Sequence, residues 1–362
     1  MKTFTLLKSL LIACLFSLMG GSAWAQNPVT LASFTNAAST DWEHTAALPN
    51  SKTKYFQLLG ATKYVQSPEI DLANVSALSI TMRARTYGVS KPTSQNAITI
   101  QLIPSDGSDN ITLETLTPDN SSNKSYPLNI KNTFHGKGKI RFVALSSTSS
   151  IGAGVYSATI TEAGTFSITS AGYATYFTDK AFTMPKGVTG SIITDANGGS
   201  LTIEDKYPAG SVVPASTALL LKGAEKEYTY DVVTTTETAP TNNMLYGSTF
   251  DTVTMVDGDL AAYLFYKLSY NDAGDKLGFY WVSENGDSFE SDANKAWLAV
   301  PTSSGNSQLK GFALDGTTTG IQQATLTNTV SPIFDINGRR VNTLNGAAKG
   351  VYIVGGKKVM VK

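Results

Sequence analysis

Ser79-Ile80-Thr81-Met82-Arg83-Ala84-Arg85 alternates polar and apolar side chains without a break. Successive residues of a strand point to opposite faces. The run therefore forms a strand with a dry face (Ile80, Met82, Ala84) and a wet one (Ser79, Thr81, Arg83, Arg85). Moving outward, comparable runs lie at Tyr55–Leu59, Tyr64–Gln66, Leu78–Thr86, Ala97–Ile103, Ile111–Leu116, Lys139–Ala144 and Val155–Ile160. Gly, Asn, Asp and Pro separate them, and Asp106-Gly107 and Pro118-Asp119-Asn120 supply turn chemistry. No window carries a sustained helical stripe at i, i+3, i+4 and i+7. The chain is expected to be all-β, with residues 26–164 forming an antiparallel sandwich.

A second β-rich unit is expected over residues 165–314. It opens at Ile168-Thr169-Ser170-Ala171-Gly172-Tyr173-Ala174-Thr175-Tyr176 and passes through Ala218-Leu219-Leu220-Leu221-Lys222-Gly223. It closes with Leu277–Val282 and Lys295–Pro301. Residues 315–320 read as a short polar linker, and residues 321–362 as a small terminal sheet. That sheet holds an Asn337-Gly338 turn and a Gly355-Gly356 turn, the second suited to a two-residue hairpin loop. By itself such a sheet is marginally stable.

The N-terminus has a basic start (Lys2, Lys8), an apolar stretch from Leu10 to Met19, and Ala23-Trp24-Ala25. That order is a secretory signal peptide over residues 1–25, cut before Gln26. The apolar stretch is well short of the ~20 residues that span a membrane, so no membrane-spanning segment is expected in the mature chain. Leu11-Ile12-Ala13-Cys14 offers a competing lipidation site. Modification there would leave Leu15–Met19 at the mature terminus and Ala23-Trp24-Ala25 without a role. Cys14 is the only cysteine, so the processed chain has no disulfide, zinc–thiolate site or cysteine nucleophile.

The 28 Lys/Arg and 28 Asp/Glu cancel overall. Six of the bases and one acid lie beyond Ser331, and two more bases precede Gln26, leaving a body of about −7. An acidic body opposes nucleic-acid binding, which needs clustered Lys and Arg.

Three stretches carry resemblances. Tyr55 to Gly88, with Ser67-Pro68-Glu69-Ile70-Asp71 leading into the alternating strand, resembles the jelly-roll modules of secreted bacterial surface proteins. The second unit resembles an uncharacterised β-rich domain of surface proteins from type IX-secreting bacteria. Ile333-Phe334-Asp335-Ile336-Asn337-Gly338-Arg339-Arg340-Val341 and Gly350-Val351-Tyr352-Ile353-Val354-Gly355-Gly356-Lys357-Lys358 resemble the type A C-terminal sorting domain of the type IX secretion system, found in Bacteroidota. The last resemblance implies that Asp335, Asn337, Gly338, Arg339, Gly350, Tyr352, Gly355, Gly356 and Lys357 form a sorting signal. It also implies a type IX-like machinery as partner, and a protein secreted or attached to the outer-membrane surface. Asp251-Thr252-Val253 resembles the short O-glycosylation motif of these bacteria.

The chemical inventory is thin. His44 and His135 are the only histidines, and no Gly-x-Ser-x-Gly, His-Glu-x-x-His or phosphate-cradling glycine loop accompanies them. Acids cluster at Asp257–Asp259, Asp272–Asp275, Glu284–Asp287 and Glu290–Asp292, beside Gly or Asn, at a spacing that suits hairpin tips better than a cleft. They have oxygen enough for a structural calcium ion but follow no EF-hand pattern, and no other cofactor is expected. Aromatic residues remain, either as core filling or as platforms for sugar rings. Trp42, Tyr64, Tyr87 and Tyr156 in the first unit, and Tyr280, Trp281 and Trp297 in the second, are the candidates. Within Phe279-Tyr280-Trp281, alternation sets Tyr280 on the face opposite its neighbours. The resulting expectation is a non-catalytic binding or adhesion protein with a glycan as ligand. The alternatives are a structural coat component and a glycosidase working through paired carboxylates.

Overall fold

The computed structural model describes residues 27–37, 40–46, 55–60, 63–120, 124–146, 148–256, 262–304, 309–315, 333–335, 339–341, 350–354 and 357–361. The expected signal peptide, Cys14, Asp257, Asp259, Asn337, Gly338, Gly355, Gly356 and most of the expected linker lie outside them. Among the described residues regular structure is strand, apart from single 3-10 turns such as Ser94–Asn96 and Glu284–Gly286, and the paired strands run antiparallel. No described helix is long and apolar enough to cross a membrane. The chain is all-β.

Two six-stranded sheets form the first unit. One contains Thr30–Phe34, Phe56–Leu59, Ala77–Tyr87, Ser125–Lys131, Gly152–Ile168 and, from further along the chain, Lys226–Asp231. The other contains Glu43–His44, Tyr64–Gln66, Ile70–Asp71, Ile98–Pro104, Ile111–Leu116 and Lys137–Ala144. Alternation on Ala77–Tyr87 falls as the sequence requires: Ile80, Met82 and Ala84 are buried, while Thr81 is exposed and Arg83 and Arg85 are half-buried. Their dry face meets Phe142, Ile140, Ile100 and Leu102 of the opposite sheet. Each such fully buried large side chain contributes about 1.5–3 kcal/mol. Ser125–Lys131, which the sequence reading left out, is an edge strand. Pro127 sits there, where its missing N–H costs no ladder bond inside the sheet.

The second unit has three layers, the first formed by the end of Gly152–Ile168 paired with Lys226–Asp231. Val188–Asn197 and Leu219–Gly223 lie in a central four-stranded sheet with Tyr173–Tyr176 and Ser200–Tyr207. Leu219 and Leu221 face a core with Phe166, Tyr176, Phe182 and Tyr230, while Leu220 faces one with Tyr266, Phe279 and Leu298. A strand buried on both faces has no wet side, which explains the unbroken Leu219-Leu220-Leu221. The third layer is a five-stranded sheet including Leu245–Ser248, Tyr263–Tyr270, Leu277–Tyr280, Lys295–Pro301 and Gly311–Ala313.

Gly152–Ile168 joins the two units. Its residues Gly152 to Ala163 pair with Ala77–Tyr87, and Ala163 to Ile168 pair with Lys226–Asp231. The boundary expected between residues 164 and 165 falls inside this strand. Backbone bonds Val29 N–H to Val232 O and Val232 N–H to Glu162 O continue the seam, and Lys180 pairs with Glu162 beside it. At the C-terminus, Ile333–Asp335, Arg340–Val341, Gly350–Val354 and Lys357–Val361 form a four-stranded sheet, with Asp335 opposite Tyr352.

Candidate functional site

The aromatic candidates separate by environment. Trp42 is 3% exposed, edge-on to Phe34 and stacked on Phe142 at 5.8 Å, so its ring fills the first core and offers no open face. Trp297 is likewise 3% exposed, in a cluster with Phe265 and Phe289. Both are core residues, because a bulky ring on an inward position is the largest apolar area available there. Tyr64 is half-buried, with the Arg141 guanidinium 4.3 Å over its ring. Beside it Glu43 accepts from Lys139 (3.0 Å) and Gln66 (2.7 Å), and these bonds hold its carboxyl below the usual carboxylate range. Tyr87 and Tyr156 stand on the outer face of the other sheet.

Tyr280 and Trp281 meet at a cavity of about 560 Å³. Its walls come from two turns and one strand end. Asn271 closes the hairpin after Tyr263–Tyr270: its Oδ1 accepts from the Asp275 and Lys276 N–H groups at 3.0 and 3.2 Å. This turn presents Asp272 and Ala273. The second turn, Glu284–Gly286, supplies Glu284 and Asn285, with Asn285 left-handed at φ 60°. Lys310 enters just before Gly311–Ala313, and its carbonyl accepts from Trp281 N–H at 3.0 Å.

Two glycines seat the rings. Gly286 has φ +74°, and a Cβ there would fall 2.6 Å from Trp281 Nε1. Gly311 lies under Tyr280, whose ring a Cβ at that position would overlap. Below Trp281, the fully buried Tyr266 donates to Leu309 O at 3.0 Å, and burial pushes its phenol up to about 12. Trp281 is thus half-buried on a rigid floor, while Tyr280, expected to have an exposed side, is only 8% exposed and offers an edge. Alternation does not expose Tyr280 because its ring lies down across Gly311, its partner on the neighbouring strand, instead of standing away from the sheet.

The cavity combines an aromatic ring with carboxylates, amides and an ammonium, the mixture that holds a polyhydroxylated ligand by ring contact and directed hydrogen bonds. The acid spacing pointed to hairpin tips rather than a cleft. Asp272 does sit on a tip, yet it and Glu284 line the same cavity. Asn271, Asn285 and Lys310 were missed; only the left-handed geometry of Asn285-Gly286 left a trace in the sequence. His44 lies against Phe56 and His135 Nδ1 contacts Ala73 O, neither in this cavity. Among the described residues no group of three or more His, Cys, Asp or Glu is placed to hold a metal ion.

No family model and no curated protein matches the chain. Solved structures do show likeness. A family 29 carbohydrate-binding module is 13% identical over 38% of this chain and 85% of its own, with a TM-score of 0.24. The tandem family 22 modules of Xyn10C from Paenibacillus barcinonensis are 10% identical over 58% and 98%, at 0.26. A family GH115 4-O-methyl-α-glucuronidase, BtGH115A, is 8% identical over 38% of this chain, at 0.25; the match spans 18% of that enzyme's length. At these scores the fold assignment rests on the sheets described above.

Proposed function

We propose that this is an exported, non-catalytic glycan-binding or adhesion protein whose ligand enters the Tyr280–Trp281 cavity. The observation that carries the reading is Trp281 held on Gly286 and Tyr266 among Asp272, Glu284, Asn271 and Lys310. A sugar ring has an apolar C–H face and a rim of hydroxyls, and this site offers a partner for each. The signal peptide and the sorting-domain resemblance support passage through a type IX-like machinery to the outer surface or the medium.

Asp272 and Glu284 in one cavity favour a second reading, a glycosidase. Both are exposed, whereas a glycosidase general acid works from a desolvated setting. A glycan array probed with the full chain separates the readings. Saturable binding weakened about ten-fold by Trp281→Ala, the loss of about 1.4 kcal/mol of ring contact, supports the proposal. Release of reducing sugar that stops in Glu284→Gln would replace it with the hydrolase. Absence of binding together with self-association would favour a coat component, for which exposed Phe250, Val253 and Met255 supply apolar surface.

A further inference from the structure

A second site lies in the first unit, where Gly152–Ile168 is flanked by Phe56–Leu59 on one edge and Ala77–Tyr87 on the other. On the outer face here Gly154 is opposite both Gln57 and Arg85, and Gly152 is opposite both Leu59 and Tyr87. The two glycines leave a side-chain-free strip across the middle of the sheet. Tyr55 lies down on it: a Cβ on Gly154 would come within 2.9 Å of the Tyr55 ring. Tyr55 also stacks on Tyr156, with centroids 4.7 Å apart and planes 27° from parallel. Tyr156 is placed there by a register shift between Val155 and Ser157, which aims one extra side chain outward.

Two arginines complete the platform. The Arg83 guanidinium stands 5.3 Å from the Tyr156 ring centre, and its Nε has no hydrogen-bond partner among the described residues. Arg85 reaches Thr86 O and Asn120 Oδ1, both neutral acceptors. Neither arginine has a carboxylate within ion-pair distance among the described residues, and the neighbouring Asp119 is taken by Lys124 at 2.8 Å. The outward positions around them, Gln57, Ser79, Thr81, Ser157, Thr159 and Asn129, include no acid. A cationic, aromatic patch whose bordering acid Asp119 is already paired, on a body of about −7, is complementary to an anion with an apolar face.

We propose that the platform of Tyr55, Tyr87, Tyr156, Arg83 and Arg85 binds an acidic polysaccharide, the tyrosines meeting sugar rings and the arginines their carboxylate or sulfate groups. It is separate from the Trp281 cavity, and either site can fail without the other. The test is affinity electrophoresis of the full chain through gels containing polygalacturonate (carboxylate), dextran sulfate (sulfate ester) or plain dextran. At least one acidic polymer, and not dextran, is expected to retard the protein. Retardation should weaken as salt rises, fall at least ten-fold in Arg83→Gln/Arg85→Gln, and survive Trp281→Ala. The salt series on the unmodified protein needs no variant to fold, and Arg83→Lys/Arg85→Lys, keeping charge but not the planar fork, should fall between. Which acidic polymer retards it identifies carboxylate or sulfate as the anion. Equal retardation by dextran, no retardation by either acidic polymer, or acidic binding unchanged in the glutamine variant overturns the proposal.

Discussion

Substituting Gly164→Val tests whether the two units unfold as one. Gly164 is opposite Tyr230 across the strand pair, and the Tyr230 ring covers it so closely that a Cβ would overlap the ring. Valine must therefore push Tyr230 out of a cluster in which it packs on Phe182 at 4.4 Å and shares a hydrogen bond with Tyr176 at 2.5 Å. Overpacking a filled core costs about 1–3 kcal/mol. Loss of the tyrosine–tyrosine bond adds about 1 kcal/mol, giving roughly 2–4 kcal/mol in total. The displaced Tyr230 ring belongs to the core of the second unit, but the strand that carries Gly164 also forms a central ladder of the first. The whole penalty should therefore reach both. The assay is urea-dependent hydrogen exchange read by mass spectrometry on peptides covering Ala77–Tyr87 and Leu219–Gly223. Both peptides are expected to lose protection at the same lowered urea concentration. If Leu219–Gly223 opens early while Ala77–Tyr87 keeps its original midpoint, the shared strand does not couple the units and the reasoning is wrong.

Three further outcomes follow from the same geometry. Gly286→Ala should cost about 1–2 kcal/mol in urea unfolding, because the position is left-handed at φ +74°, and should also lower glycan affinity by tilting Trp281. Alkaline stability should carry the mark of Tyr266, whose pKa rises from 10.0 to about 12 on folding. Unfolded chains then hold fewer protons between these values, so its stabilisation is complete below pH 10 and is lost as pH climbs to 12, by about 2.7 kcal/mol. Unfolding free energies of Tyr266→Phe measured across that window should fall less steeply than those of the parent. Phe142→Ala, which empties a fully buried position under Trp42, should cost about 3–5 kcal/mol and be read as a lower thermal midpoint.

The strand runs were legible because burial on one face imposes a period of two, and Ser79–Arg85 shows it in full. Tyr55–Leu59, Tyr64–Gln66 and Ile111–Leu116 were placed within a residue of their observed limits for the same reason. Ser125–Lys131 was missed since its proline argues against a strand unless the edge position is known. The sites were less legible. Local alternation distinguishes two faces of a strand but does not say whether a second sheet covers the outer one. Trp42 and Trp281 look alike in sequence, and only the packing of whole sheets puts the first inside and the second on a cavity wall.

By itself, then, the sequence determined the all-β class and, to within two residues, the limits of six strands of the first unit, since these depend on neighbours along the chain. Tertiary structure alone decided that Gly152–Ile168 serves both units, that Asp272 and Glu284 share a cavity, and that Tyr55 meets Tyr156 beside two arginines without acid partners. Each of these depends on register between strands tens of residues apart. Register is set by the fit of complete dry faces, a property no local window contains.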